Sequence, residues 1–173
     1  MPQSKWEPGP ADSPMGAVVG TVGGQRIPEA ARGLSTLPVL DYADHFTLAT
    51  VTVATPERWA RAMFGDEPDL AARFIWRGLL GLRLSRGASP ETVAGWRIAA
   101  RGEGWIRLAA ASWFLDGELV VRAPGGEVSL STFLRYRRRA GRAVWPPLSA
   151  VHRRLTPGLL RSTEARVRTP EPG

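Results

Sequence analysis

From Thr92 onward the apolar pattern has a period of two, and this constrains the chain more than any other feature. Four runs follow one another: Thr92–Arg101, Gly104–Phe114, Glu118–Ala123 and Glu127–Arg138. Alternation of this kind belongs to half-buried β-strands. The links are hairpin-sized: residues 101–104, Asp116-Gly117, and Pro124-Gly125-Gly126. Asp-Gly and Gly-Gly tolerate the positive φ that tight turns require. Strands joined so briefly pair with their neighbours in sequence and give an antiparallel meander. The element after them is a helix. Pro146-Pro147 fit its entry, where missing N–H groups cost nothing. Leu148, Val151, Leu155, Leu159 and Leu160 then recur at spacings of three and four, an amphipathic stripe. Pro157-Gly158 predict a kink or a break.

Upstream, Phe46–Val53 is rich in β-branched residues and reads as a strand. Thr55-Pro56-Glu57-Arg58 opens a helix, with Thr55 as N-cap and Pro56 in the first helical position. Trp59 with Met63, and Ala60 with Phe64, make i,i+4 pairs on its inner side. A second helix is expected over Pro68–Leu80. Residues 1–33 are Pro- and Gly-rich without a sustained period, and are expected to form a disordered leader. Gly16–Gly24 lacks a phosphate-loop lysine and reads as linker. The ordered domain is expected over residues 37–168, with a disordered tail at 169–173. The fold class is α+β: a curved antiparallel sheet of about five strands, two short helices after the first strand, and a long kinked C-terminal helix.

The composition excludes some chemistry. The chain has 173 residues, 43% of them hydrophobic, and no cysteine. One domain with a sizeable core is expected, without disulfides, thiolate metal sites or cysteine nucleophiles. No apolar run reaches the ~18–20 residues of a membrane helix, and Met15–Val22 makes a poor signal peptide; a cytoplasmic location is expected. The net charge of +7 is carried by 22 arginines and Lys5. It is uneven: residues 135–168 hold ten arginines and one acid, Glu164, so the remainder of the chain is slightly acidic.

Several local strings resemble a family. Asp41-Tyr42-Ala43-Asp44, Phe74-Ile75-Trp76-Arg77, Gly95-Trp96-Arg97-Ile98, Thr132-Phe133-Leu134-Arg135-Tyr136 and Val144-Trp145-Pro146-Pro147-Leu148-Ser149-Ala150-Val151-His152 resemble an uncharacterised actinobacterial family of the helix-grip superfamily. That superfamily is also called START-like or SRPBCC, the polyketide cyclase/dehydrase and lipid-transport group. The resemblance covers about Leu37–Arg168. It implies a curved sheet wrapped around the C-terminal helix, with a cavity between them for apolar ligands. It supplies no catalytic motif, and the fuller form of the fold has seven strands.

Candidate site residues follow. Trp96, Trp113 and Phe133 are expected to wall the cavity, since large aromatic residues beside Ala109 and Ala111 leave concave room; core packing is the competing reading of each. His152, one position from the apolar stripe, could face the cavity as a hydrogen-bonding group or general base, or sit at its boundary bonded to backbone. Ser149 lies three residues before it, but no acid is assigned to complete a triad. Arg97, with Arg101 and Arg107, could bind an anion, or form a solvent-facing row paired with acids such as Glu103 and Glu118. His45 with Asp41 and Asp44 suggests a metal site, but these read better as surface polar residues. Arg135–Arg139 around Tyr136 could contact nucleic acid, or form a solvated loop.

The expected function is binding of a small apolar or amphipathic ligand between sheet and C-terminal helix, with no cofactor or metal. Any catalysis would be cyclase- or dehydratase-like proton transfer. Two other readings stand beside it: an interaction protein using residues 135–168 on nucleic acid or an acidic partner, and a structural domain without ligand.

Overall fold

The computed structural model describes residues 14–169. In chain order the elements are β1 (Val18–Val22), α1 (Glu29–Arg32), β2 (Tyr42–Ala49), α2 (Pro56–Phe64), α3 (Leu70–Arg73), β3 (Thr92–Val93), β4 (Trp96–Gly102), β5 (Trp105–Ala111), β6 (Leu115–Arg122), β7 (Glu127–Tyr136) and α4 (Arg139–Arg168). The strands form one antiparallel sheet in the order β1-β2-β7-β6-β5-β4-β3. The meander is therefore present, and β2 closes against its last strand, pairing Tyr42–Ala49 with Leu134–Glu127.

The sheet has seven strands rather than about five, for two local reasons. The first run is divided by Ala94-Gly95, both at positive φ, so Thr92–Val93 turns back on Trp96–Arg97. The other strand, β1, comes from the expected leader. Val18–Val22 pairs with β2 at the sheet edge, and Ile27 and Ala31 pack with Ala43, Val120 and Phe133. The segment is then tied down by Glu118, which accepts hydrogen bonds from Ser35 Oγ at 2.7 Å and the Thr36 amide at 3.0 Å. Residues 14–33 are thus ordered by a few long-range contacts without any period. The remaining parts of the expected leader and tail, residues 1–13 and 170–173, lie outside the described residues.

Two further boundaries move. The strand expected at Phe46–Val53 lies four residues earlier. Asp116-Gly117 is not a turn but part of β6. The turn is Ser112-Trp113-Phe114, where Ser112 Oγ accepts from the amides of Phe114 and Leu115. Gly117 instead sits in a tight spot, where a Cβ would lie 3.3 Å from both Trp96 Cη2 and Leu134 Cδ2.

The inner face of the sheet is covered by α2 and α4. Thr55 Oγ1 caps α2 by accepting from the Arg58 amide at 3.1 Å, and Trp59, Ala60 and Met63 are buried, as the pairing predicts. Asp69 caps α3 through the Ala72 amide, and the chain continues as a π-helical turn over Phe74–Leu79. Helix α4 starts seven residues before Pro146 and runs unbroken past Pro157. Only Arg137 and Arg138 separate it from β7, so the expected arginine loop is a two-residue link. Its buried line is Gly141, Trp145, Ser149, Thr156, Leu160, Thr163, Glu164 and Val167. The hydroxyls of Ser149, Thr156 and Thr163 donate to carbonyls of their own helix, so these side chains can be buried without an orphaned polar group.

Candidate functional site

The predicted stripe of α4 does more than pack on the sheet: Leu160 is buried in the core, but its other members also border open space. Leu148, Val151, Leu155 and Leu159 line a cavity of about 310 Å³ between α4, the inner face of the sheet, and the segment from α2 through α3. Trp76, Trp96, Leu119, Leu130, Leu134 and Trp145 form much of the remaining wall. Trp76 meets Trp96 edge to face, with centroids 5.6 Å apart. Val151 and Leu155 are 49% and 62% exposed although they line this space. The cavity therefore opens to solvent beside them, near the exposed Ala71 of α3.

One part of the wall is polar. Asp44 and Thr132 are register partners on β2 and β7, and His152 comes down from α4 between them. His152 Nε2 is 3.0 Å from Asp44 Oδ2 and 3.2 Å from Thr132 Oγ1. The Tyr42 hydroxyl donates to the same Asp44 oxygen at 2.6 Å. Burial, and then the Asp44 charge, push the Tyr42 hydroxyl well above the ordinary phenol range, so it stays a donor. Trp145 packs edge-on to Tyr42 at 5.2 Å and lies 5.7 Å from the His152 ring. Asp44 is fully buried. Its Oδ1, and the indole nitrogens of Trp96 and Trp145, are buried without a hydrogen-bond partner among the described residues.

Asp44 favours one tautomer of a neutral His152. A carboxylate only accepts hydrogen bonds, so the neutral imidazole carries its proton on Nε2 and keeps the lone pair on Nδ1. The Thr132 and His152 side chains line the cavity. The arrangement can thus hold a mostly apolar molecule and meet one of its polar groups.

Of the five expected site residues, the structure brings Trp96 and His152 together on this cavity and places three elsewhere. Phe133 is fully buried on the outer face, beneath Ile27 and Ala31, because it is one residue from Thr132 and strand side chains alternate. Arg97 is exposed on that outer face, as alternation from Trp96 requires. Trp113 lies in the β5–β6 turn, 58% exposed and edge-on to Phe114. Arg107 donates to the Leu34 carbonyl and lies 3.7 Å from Glu118, while Arg101 pairs with Glu57. The three do not form one row: the register shift between Ile98 and Ala100 turns Arg101 to the side of α2, where Glu57 meets it, and Arg107 is largely buried beside buried Glu118, so only Arg97 fits the solvent-facing reading.

His45 and Asp44 are buried, not surface residues, and they face opposite sides of β2. His45 bonds Ser131 Oγ through Nδ1 and Thr47 Oγ1 through Nε2. Burial, aided by the Arg122 charge, lowers its pKa to about 4. Ser149 donates to the Pro146 carbonyl and is not engaged with His152.

Tyr42, Thr132 and Trp145 were not picked out as parts of the site, nor Asp44 as the partner of His152. A strand begun at Tyr42 would have put Tyr42, Asp44, Phe46 and Leu48 on one face. An acid amid such neighbours needs a buried partner.

No protein-family model and no curated protein sequence matches the chain. The architecture alone defines the class: an α+β domain in which a long C-terminal helix packs on an antiparallel sheet. Among the described residues no helix is long and apolar enough to cross a membrane.

Proposed function

We propose that this is a helix-grip domain that binds one small, largely apolar molecule between its sheet and α4, with the polar group of that molecule at the Asp44–His152–Thr132 end. The resemblance of the local strings to the helix-grip superfamily supports the reading, as does the strand order. The observation that carries it is the cavity itself: an amphipathic helix turns most of its apolar stripe toward open space, and the Thr132–His152 part of the wall is tied to buried Asp44 and to Tyr42 in one connected network.

The volume of about 310 Å³ is at the lower end of small-molecule sites, roughly 300–1,000 Å³. It suits a ligand of about two fused rings. Burial of about 250 Å² of ligand surface at ~25 cal/mol per Å² gives ~6 kcal/mol, a dissociation constant on the order of tens of micromolar before polar contacts are added.

Native mass spectrometry of the purified protein tests this, with thermal unfolding against a panel of fused-ring aromatic compounds. Occupancy at 100 times the dissociation constant stabilises the fold by about 2.7 kcal/mol, which raises the unfolding temperature by roughly 5–10 °C in a chain of this size. A Leu119→Trp variant, which fills the cavity, should lose both effects while still folding. A wild-type protein that neither retains nor responds to any such compound would contradict the proposal.

A further inference from the structure

We propose that the Asp44–His152 pair is a proton-accepting site, and that the molecule bound beside it is apolar with a weakly acidic hydroxyl, such as a phenol or an enol. This rests on the cavity being a ligand site and specifies which ligands it selects.

Donors and acceptors at the polar end decide which ligands fit. The Nε2 side of His152 is taken by Asp44 at 3.0 Å and Thr132 at 3.2 Å. The nitrogen left for a ligand is Nδ1, which in this tautomer is an acceptor. A ligand carboxylate or phosphate would bring a second negative charge beside fully buried Asp44, and like charges at such range oppose one another; the nearby cation, Arg153, acts on the Tyr42 hydroxyl and does not line the cavity. A ligand ammonium would leave its hydration for a wall that is mostly Leu, Val and Trp; the lining carboxylate, Asp69, is exposed to solvent and already accepts from the Ala72 amide. A neutral hydroxyl meets neither penalty and supplies the missing donor.

The same geometry can accept the proton outright. The ligand O–H bond breaks and its electron pair stays on the oxygen, while the proton bonds to Nδ1. The resulting imidazolium keeps its Nε2–H on Asp44, whose carboxylate balances the charge, as in other Asp–His pairs. Tyr42, held as a donor to Asp44, fixes the carboxylate through the change. His152 is the proton acceptor, and Asp44 and Tyr42 are positioning residues.

The probes are 2-naphthol and 2-methoxynaphthalene, alike in their rings but only the first able to donate. Calorimetry with the full chain should show naphthol binding roughly tenfold more tightly, the worth of one hydrogen bond. In His152→Phe the preference should vanish while the ether binds within about twofold of wild type, which also shows that the cavity is intact. The absorption of bound naphtholate should appear about one pH unit lower in wild type than in the variant. The chain has only two histidines, so nitrogen-15 NMR of the wild type gives a readout independent of any variant. The Nδ1 of His152 should be unprotonated and should shift when naphthol, but not the ether, is added. Equal affinity for both probes, or a protonated Nδ1 in the free neutral ring, would overturn the inference and leave the cavity reading standing. Failure of both probes to bind would remove both.

Discussion

Leu155 and Leu160 occupy the same apolar stripe in sequence, yet the structure gives them opposite roles. Leu160 is fully buried in the main core, whereas Leu155 is 62% exposed at the cavity mouth. Truncating a fully buried leucine costs about 2–5 kcal/mol, the transfer of the lost methyl groups plus the void left behind. Leu155 has little more than a third of its surface to lose, no packed neighbours to strand, and a slight gain in helix propensity on becoming alanine. Leu160→Ala should therefore destabilise the fold by about 3 kcal/mol and Leu155→Ala by less than about 1. Urea unfolding followed by tryptophan fluorescence measures both. With a slope of roughly 1–3 kcal/mol per molar, the midpoint for Leu160→Ala should fall by about 1–3 M, and that for Leu155→Ala by a few tenths. Equal losses, or a larger loss at Leu155, would mean that α4 is rotated with its stripe packed into the sheet. The cavity would then not exist as described.

Two other predictions concern stability. His45 is held neutral in the fold down to about pH 4, whereas the unfolded chain takes up its proton near pH 6.5. Protonation then favours the unfolded state, so stability is complete above pH 6.5 and declines toward pH 4, by roughly 3 kcal/mol over the interval. His45→Gln should flatten that decline in urea titrations at successive pH values, and an unchanged slope would refute the assignment. The second compares two glycines with similar backbones. Gly95 has φ +83°, and an added Cβ would lie 2.7 Å from the Ser85 carbonyl, whereas Gly87 has φ +76° with open space around it. Gly95→Ala should cost more than ~2 kcal/mol and Gly87→Ala only the ~1 kcal/mol of a left-handed backbone; equal losses would be inconsistent with the described packing at Gly95.

The elements that sequence made legible are those with a local signature. Thr55-Pro56 marked the start of α2, and alternation from Trp96 to Tyr136 marked the meander. What was not legible depends on contacts distant in sequence. Val18–Val22 is a strand because β2 offers it an edge, and Ser35 and Thr36 are held by Glu118, 83 and 82 residues away. Helix α4 extends back to Arg139 despite Pro146 and Pro147, so proline there misled about the boundary. At the site, His152 and Trp96 were legible as an isolated histidine and an inward aromatic residue. Asp44 was not recognised as the partner of His152, because starting β2 at Phe46 left its inward position outside the strand. Phe133 and Trp113 failed for want of knowing which face and which turn they occupy, and both depend on register.

The space under α4 is proposed as a binding site of largely apolar character. The most direct measurement is a crystal structure of the protein soaked in 2-bromonaphthalene, with the bromine located by its anomalous scattering. A single strong bromine peak should appear in contact with the Trp96 and Trp145 side chains, between α4 and the inner face of the sheet. A map in which tryptophan and leucine side chains fill that space, with no bromine inside, would contradict the account.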